Sequence, residues 1–334
     1  MSPDLLSLLR AAPGTALSGR DLGVRLGVSR AAIWKQVRAL MRAGYCIESR
    51  HGEGYRLVGE PDVLTAEAVA PLLPATGLFL ADRYHHLAAI GSTNEEAIAR
   101  ARAGAPAGTV VTAEHQTHGR GRLGRAWHAP PGSSLAFSIL LRPPIPPHRT
   151  FQLTLLAGLA LAATLHEAGF VEVTIKWPND LLLHGRKLAG ILTEMGAETD
   201  EVHYVVIGVG LNVHTTTAML PPELRAIATG LADHRLEAGD DTGARAVPPR
   251  RKLLVAFLRH FAAWYRHYLE EGFAGVRAAW LEMARIQGRR VTVNLLKESF
   301  TGEAVDMDAE GFLLVRRKDD GSVCRVVAGD VTLV

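Results

Sequence analysis

Cysteine is almost missing from this 334-residue chain; only Cys46 and Cys324 occur. Two thiols exclude a disulfide framework and a cysteine-based zinc site, and they suit a reducing, cytoplasmic setting. Long apolar runs are also missing. The most apolar stretch, LTLLAGLALAATL over 153–165, is bounded by Gln152, His166 and Glu167. It is too short to cross a bilayer and reads as a buried core helix, so no membrane partner is expected. The opening Met1-Ser2-Pro3-Asp4 has neither a basic start nor an apolar run, so no secretory leader is expected. Strong charge is lacking as well: the net is +3, too little to imply nucleic acid by itself. Repeats and low-complexity tracts do not occur.

The charge is unevenly placed. Residues 1–60 hold nine Lys and Arg against five Asp and Glu, a net +4 that exceeds the whole chain's. In the same block Leu22, Leu26, Ile33, Val37 and Leu40 recur at helical spacing, interrupted at Gly27, with Ser29 positioned as an N-cap. A short helix, a glycine turn and a second helix predict a helix-turn-helix. The alternating YCIESRHGEGYRL over 45–57 then predicts a hairpin wing around His51-Gly52-Glu53-Gly54. Ser29, Arg30, Trp34, Lys35 and Arg38 fall on the second helix, where a DNA reader enters the major groove, and Arg50 and Arg56 fall on the wing. A protein-interaction module with a solvated basic face fits the same pattern.

Residues 59–64 read as a linker. The block from 61 to 283 mixes strands, expected over 108–114, 134–142, 171–176, 180–184, 188–194 and 202–213, with helices over 94–103, 150–168 and 250–271. The polar, Gly/Ala-rich 235–248 reads as a mobile loop. Residues 284–334 turn to short strands joined by Gly and Asp, a small barrel or sandwich too small to catalyse alone. The fold class expected is therefore α+β in three domains: 1–60, 61–283 and 284–334.

Residues 119–127, GRGRLGRAW, contain the letters of a dinucleotide-binding turn. That turn must leave a strand directly and open a helix. Here His115-Gln116-Thr117-His118 intervene before it, and Pro130-Pro131 forbid a helix after it. What remains is a glycine loop carrying Arg120, Arg122 and Arg125. Glycine gives room for close approach, and arginine gives forked donors for phosphate. An anionic ligand fits, as does a solvated surface loop or a second nucleic-acid contact. In KWPNDLLLHGRKLAGILTE (176–194), a hairpin at His184-Gly185-Arg186 brings Lys187 back toward Lys176 and Asp180, with Asn179 in the preceding turn. Lysines for phosphates and a carboxylate for a metal or ribose suit a nucleotide; an exposed charged rim is the bland alternative. In AIGSTNEEAIARA (89–101), Ser92 with Glu95, or Thr93 with Glu96, spells a capping box. In VVIGVGLNV (205–213), two glycines in a buried strand ending at Asn212 predict something flat packed on the backbone.

These segments, in this order behind a winged helix, resemble the bifunctional biotin protein ligases that double as biotin operon repressors. The resemblance spans nearly the whole chain. It implies a central domain of the biotin/lipoate-ligase type and an SH3-like C-terminal barrel. It assigns Ser92, Thr93, Asn94 and Gln116 to the biotin ring, and Gly119, Arg120, Gly121 and Arg122 to a loop closing over biotin and its adenylate. It gives Lys187 the ligand carboxylate and α-phosphate, with Arg120, Arg122 and Lys187 acting in catalysis. Lys176, Asn179, Asp180 and Asn212 take nucleotide or phosphate, with Asp180 the candidate Mg²⁺ ligand, and Trp127 and Gly190 frame the pocket. Leu123 stands where some relatives carry another arginine. The resemblance implies biotin and ATP as substrates, Mg²⁺ with the ATP, and a biotin carboxyl carrier protein, operator DNA and a second copy of the chain as partners. A lipoate-type ligase, a ligand sensor without ligase activity and a nucleotide-dependent oxidoreductase are the rival readings.

Overall fold

Apolar spacing and local caps shape the first part of the chain. The computed structural model describes residues 4–42, 44–50, 53–237, 247–295 and 298–333, in two units, Met1–Asp62 and Val63–Val334. In the first, α1 (Leu5–Arg10) is capped by Asp4, which accepts from the Ser7 N–H at 2.7 Å. The Ser18 hydroxyl caps α2 (Gly19–Leu26), which ends at Gly27 in the left-handed region, φ 66°. Glycine adopts that conformation without a Cβ clash. Ser29 caps α3 (Arg30–Arg42) through the Ala32 N–H at 3.2 Å. Strands β1 (Cys46–Arg50) and β2 (Gly54–Gly59) pair antiparallel; His51 and Gly52 of the expected tip lie outside the described residues. Leu5, Leu9, Leu22, Ile33, Val37 and Ile47 make the core, so the helix-turn-helix and wing are as expected.

The second unit contains α4 (Ala66–Val69), β3 (Tyr84–Leu87), α5 (Thr93–Arg102), β4 (Val110–Ala113), β5 (Ser134–Leu141) and α6 (Thr150–Glu167). Then come β6 (Thr174–Lys176), β7 (Asp180–Leu183), β8 (Arg186–Glu198), β9 (Glu201–Asn212), α7 (Leu231–Glu237), α8 (Arg250–Glu271) and α9 (Ala274–Ala284). Strands β3 to β9 form one sheet in the order β3-β4-β5-β9-β8-β7-β6. Only β3 and β4 run parallel.

Alternation along the strands gives the sheet two unlike faces. Leu135, Phe137, Ile139, Ile207, Val209, Leu211 and Ile191 join the large core with residues of α6, α8 and α9. The apolar run 153–165 is thus the buried helix α6, as read. On the other face Val111, Leu140 and Val206 pack against Ala97 and Ala101 of α5. Beyond that cluster this second face carries Ala136, Ser138, Gly208, Gly210 and Gly190, and the site lies there.

The last five strands, β10 (Arg290–Asn294), β11 (Ser299–Met307), β12 (Leu313–Arg317), β13 (Val323–Val326) and β14 (Asp330–Leu333), form an antiparallel sheet ordered β13-β12-β11-β10-β14. Their Val291, Phe300, Met307 and Leu313 belong to the same apolar cluster as α6 and α8.

Some expectations change. The stretch 59–64 contains the boundary between the two units, as a linker should, and is anchored: Gly59 ends β2, Glu60 pairs with Arg10 at 2.7 Å, and Leu64 is fully buried. Strand 171–176 shortens to β6, and 188–194 lengthens to β8. Of the loop expected over 235–248, residues 235–237 end α7 and 238–246 lie outside the described residues.

Candidate functional site

The chain reaches the glycine face from its ends. Ser92 occupies the N-cap position of α5 but its side chain makes no cap hydrogen bond, which corrects the capping-box expectation. Gln116 Oε1 instead accepts from the Thr93 N–H at 2.8 Å and lies 3.0 Å from the Thr93 hydroxyl. A long-range side chain has taken over the capping, and Ser92 and Glu95 are released from it. Glu95 pairs with Arg120 at 2.7 Å.

The network continues inward. Ser138 Oγ lies 2.8 Å from Thr93 Oγ1 and 2.6 Å from Asn94 Oδ1. Asn94 Nδ2 donates to Glu194 Oε2 at 2.7 Å and to the Leu192 carbonyl at 3.2 Å. Ser92, Thr93, Asn94 and Ser138 are all buried. Ser138 and Glu194 were not anticipated; a serine inside the apolar run SLAFSILLR was the available signal.

The flat object on the glycine strand is partly the chain itself. A Cβ at Gly210 would lie 2.5 Å from Trp127 Cε2, and one at Gly190 would lie 3.2 Å from Trp127 Cζ3. Gly190 and Gly210 are cross-strand partners, so they form one platform under the indole. A Cβ on Gly208 would collide with the Asn94 amide. The indole Nε1 of Trp127 is shielded from solvent and has no acceptor among the described residues. It is a donor available to a ligand oxygen.

The arginine loop is a closed turn. Gly121 N donates to the Arg125 carbonyl at 2.7 Å and Trp127 N to the Gly119 carbonyl at 2.8 Å. Arg122 Nη1 donates to Asn179 Oδ1 at 2.9 Å. Leu123 sits at the tip, 80% exposed, with φ 57°.

The β7–β8 hairpin performs as its sequence implies. Lys187 returns to Asp180 at 2.7 Å, its ammonium 5.8 Å from the centre of the Trp127 ring. Lys176 faces Asp180 across the β6–β7 pair, yet its ammonium pairs with Asp330 of β14 at 3.0 Å. Arg125 approaches the same carboxylate at 3.9 Å. Burial pushes the Asp330 carboxyl up, but the Lys176 hydrogen bond and the charges of Lys176, Arg125 and Arg122 outweigh it and leave it below the ordinary value. Asp330 had no local signal in the sequence. Asn212 is buried and donates to the Thr229 carbonyl at 2.9 Å, so it anchors the segment that follows β9. Beneath the site Glu114 holds Arg250, which is 2% exposed, at 2.8 Å.

The glycine face therefore has a neutral polar end built from Ser92, Thr93, Asn94 and Gln116. Its other end is cationic, built from Lys187, Lys176 and Arg122, while Arg120 pairs with Glu95 beside the polar end. A ligand that is polar at one end, apolar in the middle and anionic at the other fits this arrangement.

In the first unit, Arg30, Trp34 and Arg38 form one outward stripe of α3, with Lys35 beside them, all exposed. Arg38 lies over the Trp34 ring, 5.6 Å from its centre. The wing arginines are already engaged: Arg56 with Glu48, and Arg50 with Glu48 at 3.6 Å and Glu53 at 3.7 Å.

Comparison with known proteins follows the same division. Residues 90–212 match the biotin/lipoate A/B protein ligase family, 3–56 a helix-turn-helix domain, and 287–334 the biotin protein ligase C-terminal domain. The chain is 36% identical to the bifunctional ligase/repressor BirA of Bacillus subtilis, covering 99% of this chain and 98% of that protein. It is 31% identical to the BirA of Escherichia coli, covering 98% and 96%. A solved structure of biotin protein ligase from Aquifex aeolicus in complex with biotin and ATP aligns with a TM-score of 0.62 at 26% identity, covering 75% of this chain and 98% of that one.

Proposed function

The chain belongs to the family of bifunctional biotin protein ligase/repressors, and from that premise we propose how its own residues carry out the ligation. It is an ATP-dependent biotin protein ligase with a helix-turn-helix repressor domain. The observation that carries the site assignment is the Trp127 indole seated on the Gly190–Gly210 floor, with the buried polar network of Thr93, Asn94 and Gln116 at one end and the lysines and Arg122 at the other.

The ureido ring of biotin meets Ser92, Thr93, Asn94 and Gln116. Its apolar chain lies along the Trp127 indole, which Gly190 and Gly210 carry, and its carboxylate reaches Lys187. A carboxylate oxygen then attacks the α-phosphorus of ATP: the new P–O bond forms, the bond to the β-phosphate oxygen breaks, and pyrophosphate leaves. Two anions must approach, so the residues that lower the barrier are the fixed cations Lys187, Lys176, Arg120 and Arg122. Their present partners Asp180, Asp330, Glu95 and Asn179 hold them in place until ligand oxygens compete.

Among the described residues no cluster of three metal-ligating side chains occurs. The described residues therefore offer no cage for Mg²⁺, but Asp180 beside Asn179 suits an ion that arrives on ATP phosphates. Such an ion would neutralise phosphate charge.

Biotinyl-5′-AMP is an acyl phosphate anhydride that water destroys, and the loop from Gly119 to Arg122 covers it. In the second step a lysine amine of the carrier protein attacks the acyl carbon; the amide bond forms, the bond to AMP breaks, and the amine proton leaves to solvent. No nucleophile of this chain is required. The protein substrate is a biotin carboxyl carrier protein, the reaction is cytoplasmic, and the ligand-ordered loop favours a homodimer whose two winged helices meet a two-fold operator. Ser29, Arg30, Trp34, Lys35 and Arg38 face that DNA, with Arg50 and Arg56 at its backbone once released from their glutamates.

The test is pyrophosphate release from ATP with biotin or with lipoate, followed by mass measurement of the carrier lysine. Release with biotin alone supports the reading. Equal release with lipoate would favour the related acyl ligase, although a dithiolane ring has no group that answers Thr93 and Gln116. A gel shift that is identical with and without biotin plus ATP would refute the link to repression.

A further inference from the structure

Glu194 lies behind Asn94, and we infer that its carboxylate makes Thr93 Oγ1 an open acceptor for a ligand N–H, so that it is a positioning residue for ring recognition. The inference rests on the proposed biotin site.

The protons available in this network decide which atoms donate. A carboxylate only accepts, so the group Asn94 turns toward Glu194 must be its Nδ2, at 2.7 Å. The Leu192 carbonyl, also only an acceptor, agrees at 3.2 Å. Asn94 Oδ1 is thereby fixed toward Ser138. At 2.6 Å that contact needs a proton, and only the Ser138 hydroxyl has one. Ser138 then has none left for Thr93, 2.8 Å away. The Thr93 hydroxyl proton can serve Ser138 Oγ or Gln116 Oε1, which is 3.0 Å away. In either case no side chain of this network donates to Thr93 Oγ1. Its lone pair is left for the ligand, while Gln116, whose Oε1 is committed to the Thr93 N–H, turns its Nε2 donor toward Gly119 of the arginine loop.

In the Glu194→Gln variant the 3.2 Å contact to the Leu192 carbonyl still favours Asn94 Nδ2 on that side, and the chain of donors reverses at the loss of that bond. The new side-chain amide would donate to Asn94 Oδ1, Asn94 Nδ2 to Ser138, and Ser138 to Thr93 Oγ1, filling the acceptor. A ligand N–H would then be buried against a filled oxygen, a loss of the kind that weakens binding by between about 5- and 150-fold.

The experiment is calorimetric titration of the full chain with biotin, before ATP is added. Glu194→Gln should weaken biotin within that range, leave the KM for ATP unchanged, and make no further difference to a biotin analogue N-methylated on both ureido nitrogens, which has no N–H to lose. Adding Asn94→Asp to Glu194→Gln restores a carboxylate at the centre of the chain of donors. That carboxylate accepts both from the introduced amide and from Ser138, and Thr93 reopens. The double variant should recover part of the affinity, with the remainder lost at the Leu192 carbonyl. Unchanged biotin binding in Glu194→Gln would overturn the inference and leave the ligase reading intact, as would a double variant no better than Glu194→Gln. A parent chain that binds no biotin would overturn both.

Discussion

Gly210→Ala tests whether the glycine platform positions the indole. The added Cβ would stand 2.5 Å from Trp127 Cε2 and 2.8 Å from both Cζ2 and Nε1. Ordinary contact begins near 3.4 Å, so the ring must withdraw by about 0.9 Å. Gly210 lies mid-strand between β5 and β8, so its backbone cannot give way without disturbing both ladders. A displacement of that size at a reacting centre costs on the order of 100-fold in rate. The overpacking itself costs about 1–3 kcal/mol of stability. Single-turnover pyrophosphate release with saturating biotin should fall accordingly, while the far side of the sheet keeps the fold cooperative. Trp127→Phe in the Gly210→Ala background removes the atoms in conflict and should recover part of the rate. A Gly210→Ala enzyme that turns over at the parent rate, or a double variant slower than Gly210→Ala alone, would refute the platform.

The other predictions concern charge. Asp330→Asn should weaken ATP binding by releasing Lys176 and Arg125. Because the Asp330 carboxyl is depressed in the fold, its contribution to stability is complete above the ordinary carboxylate value of about 4 and disappears as pH falls through the lower folded value; acid melting curves of parent and variant should converge there. Arg120→Ala with Arg122→Ala should let biotinyl-5′-AMP escape roughly tenfold to hundredfold faster, read by a filter-retention time course; equal retention would mean the loop does not hold it. Glu114→Ala removes the acceptor of the Leu64 N–H, 2.9 Å away beside a fully buried side chain, together with one carboxylate partner of Arg250, and should cost about 1–3 kcal/mol in denaturant unfolding. In the first unit, Arg38→Ala should lower the slope of log affinity against log salt by about 1 if Arg38 meets a phosphate, whatever the operator sequence.

Local features are legible in the sequence and long-range ones are not. The helix-turn-helix can be read because its caps, Ser18 and Ser29, and its breaker, Gly27, act within a few residues. The β7–β8 hairpin is legible for the same reason, and with it the meeting of Lys187 and Asp180. The capping of α5 departs from its local rule, which favours Glu95 and Glu96, because Gln116 arrives from the far end of β4. The glycines of β9 announce a flat neighbour without naming it; Trp127 is brought there by the loop. Asp330 carries no mark in its own strand, and only the packing of the last sheet on the shared core brings it to Lys176. Helix α9 and strand β3 have weak patterns, and their contacts with larger elements complete them.

That last sheet gives the enzyme two separable ways to fail. The pocket proposed for the vitamin's ring hangs on α5 and the middle of the large sheet, but Lys176 and the arginine turn are moored to β14. Fraying of the final strand alone would leave a protein that still captures the vitamin yet grips the nucleotide poorly. Such a molecule would withdraw substrate from circulation without producing the activated form that ligation consumes and that the proposed control of repression reads.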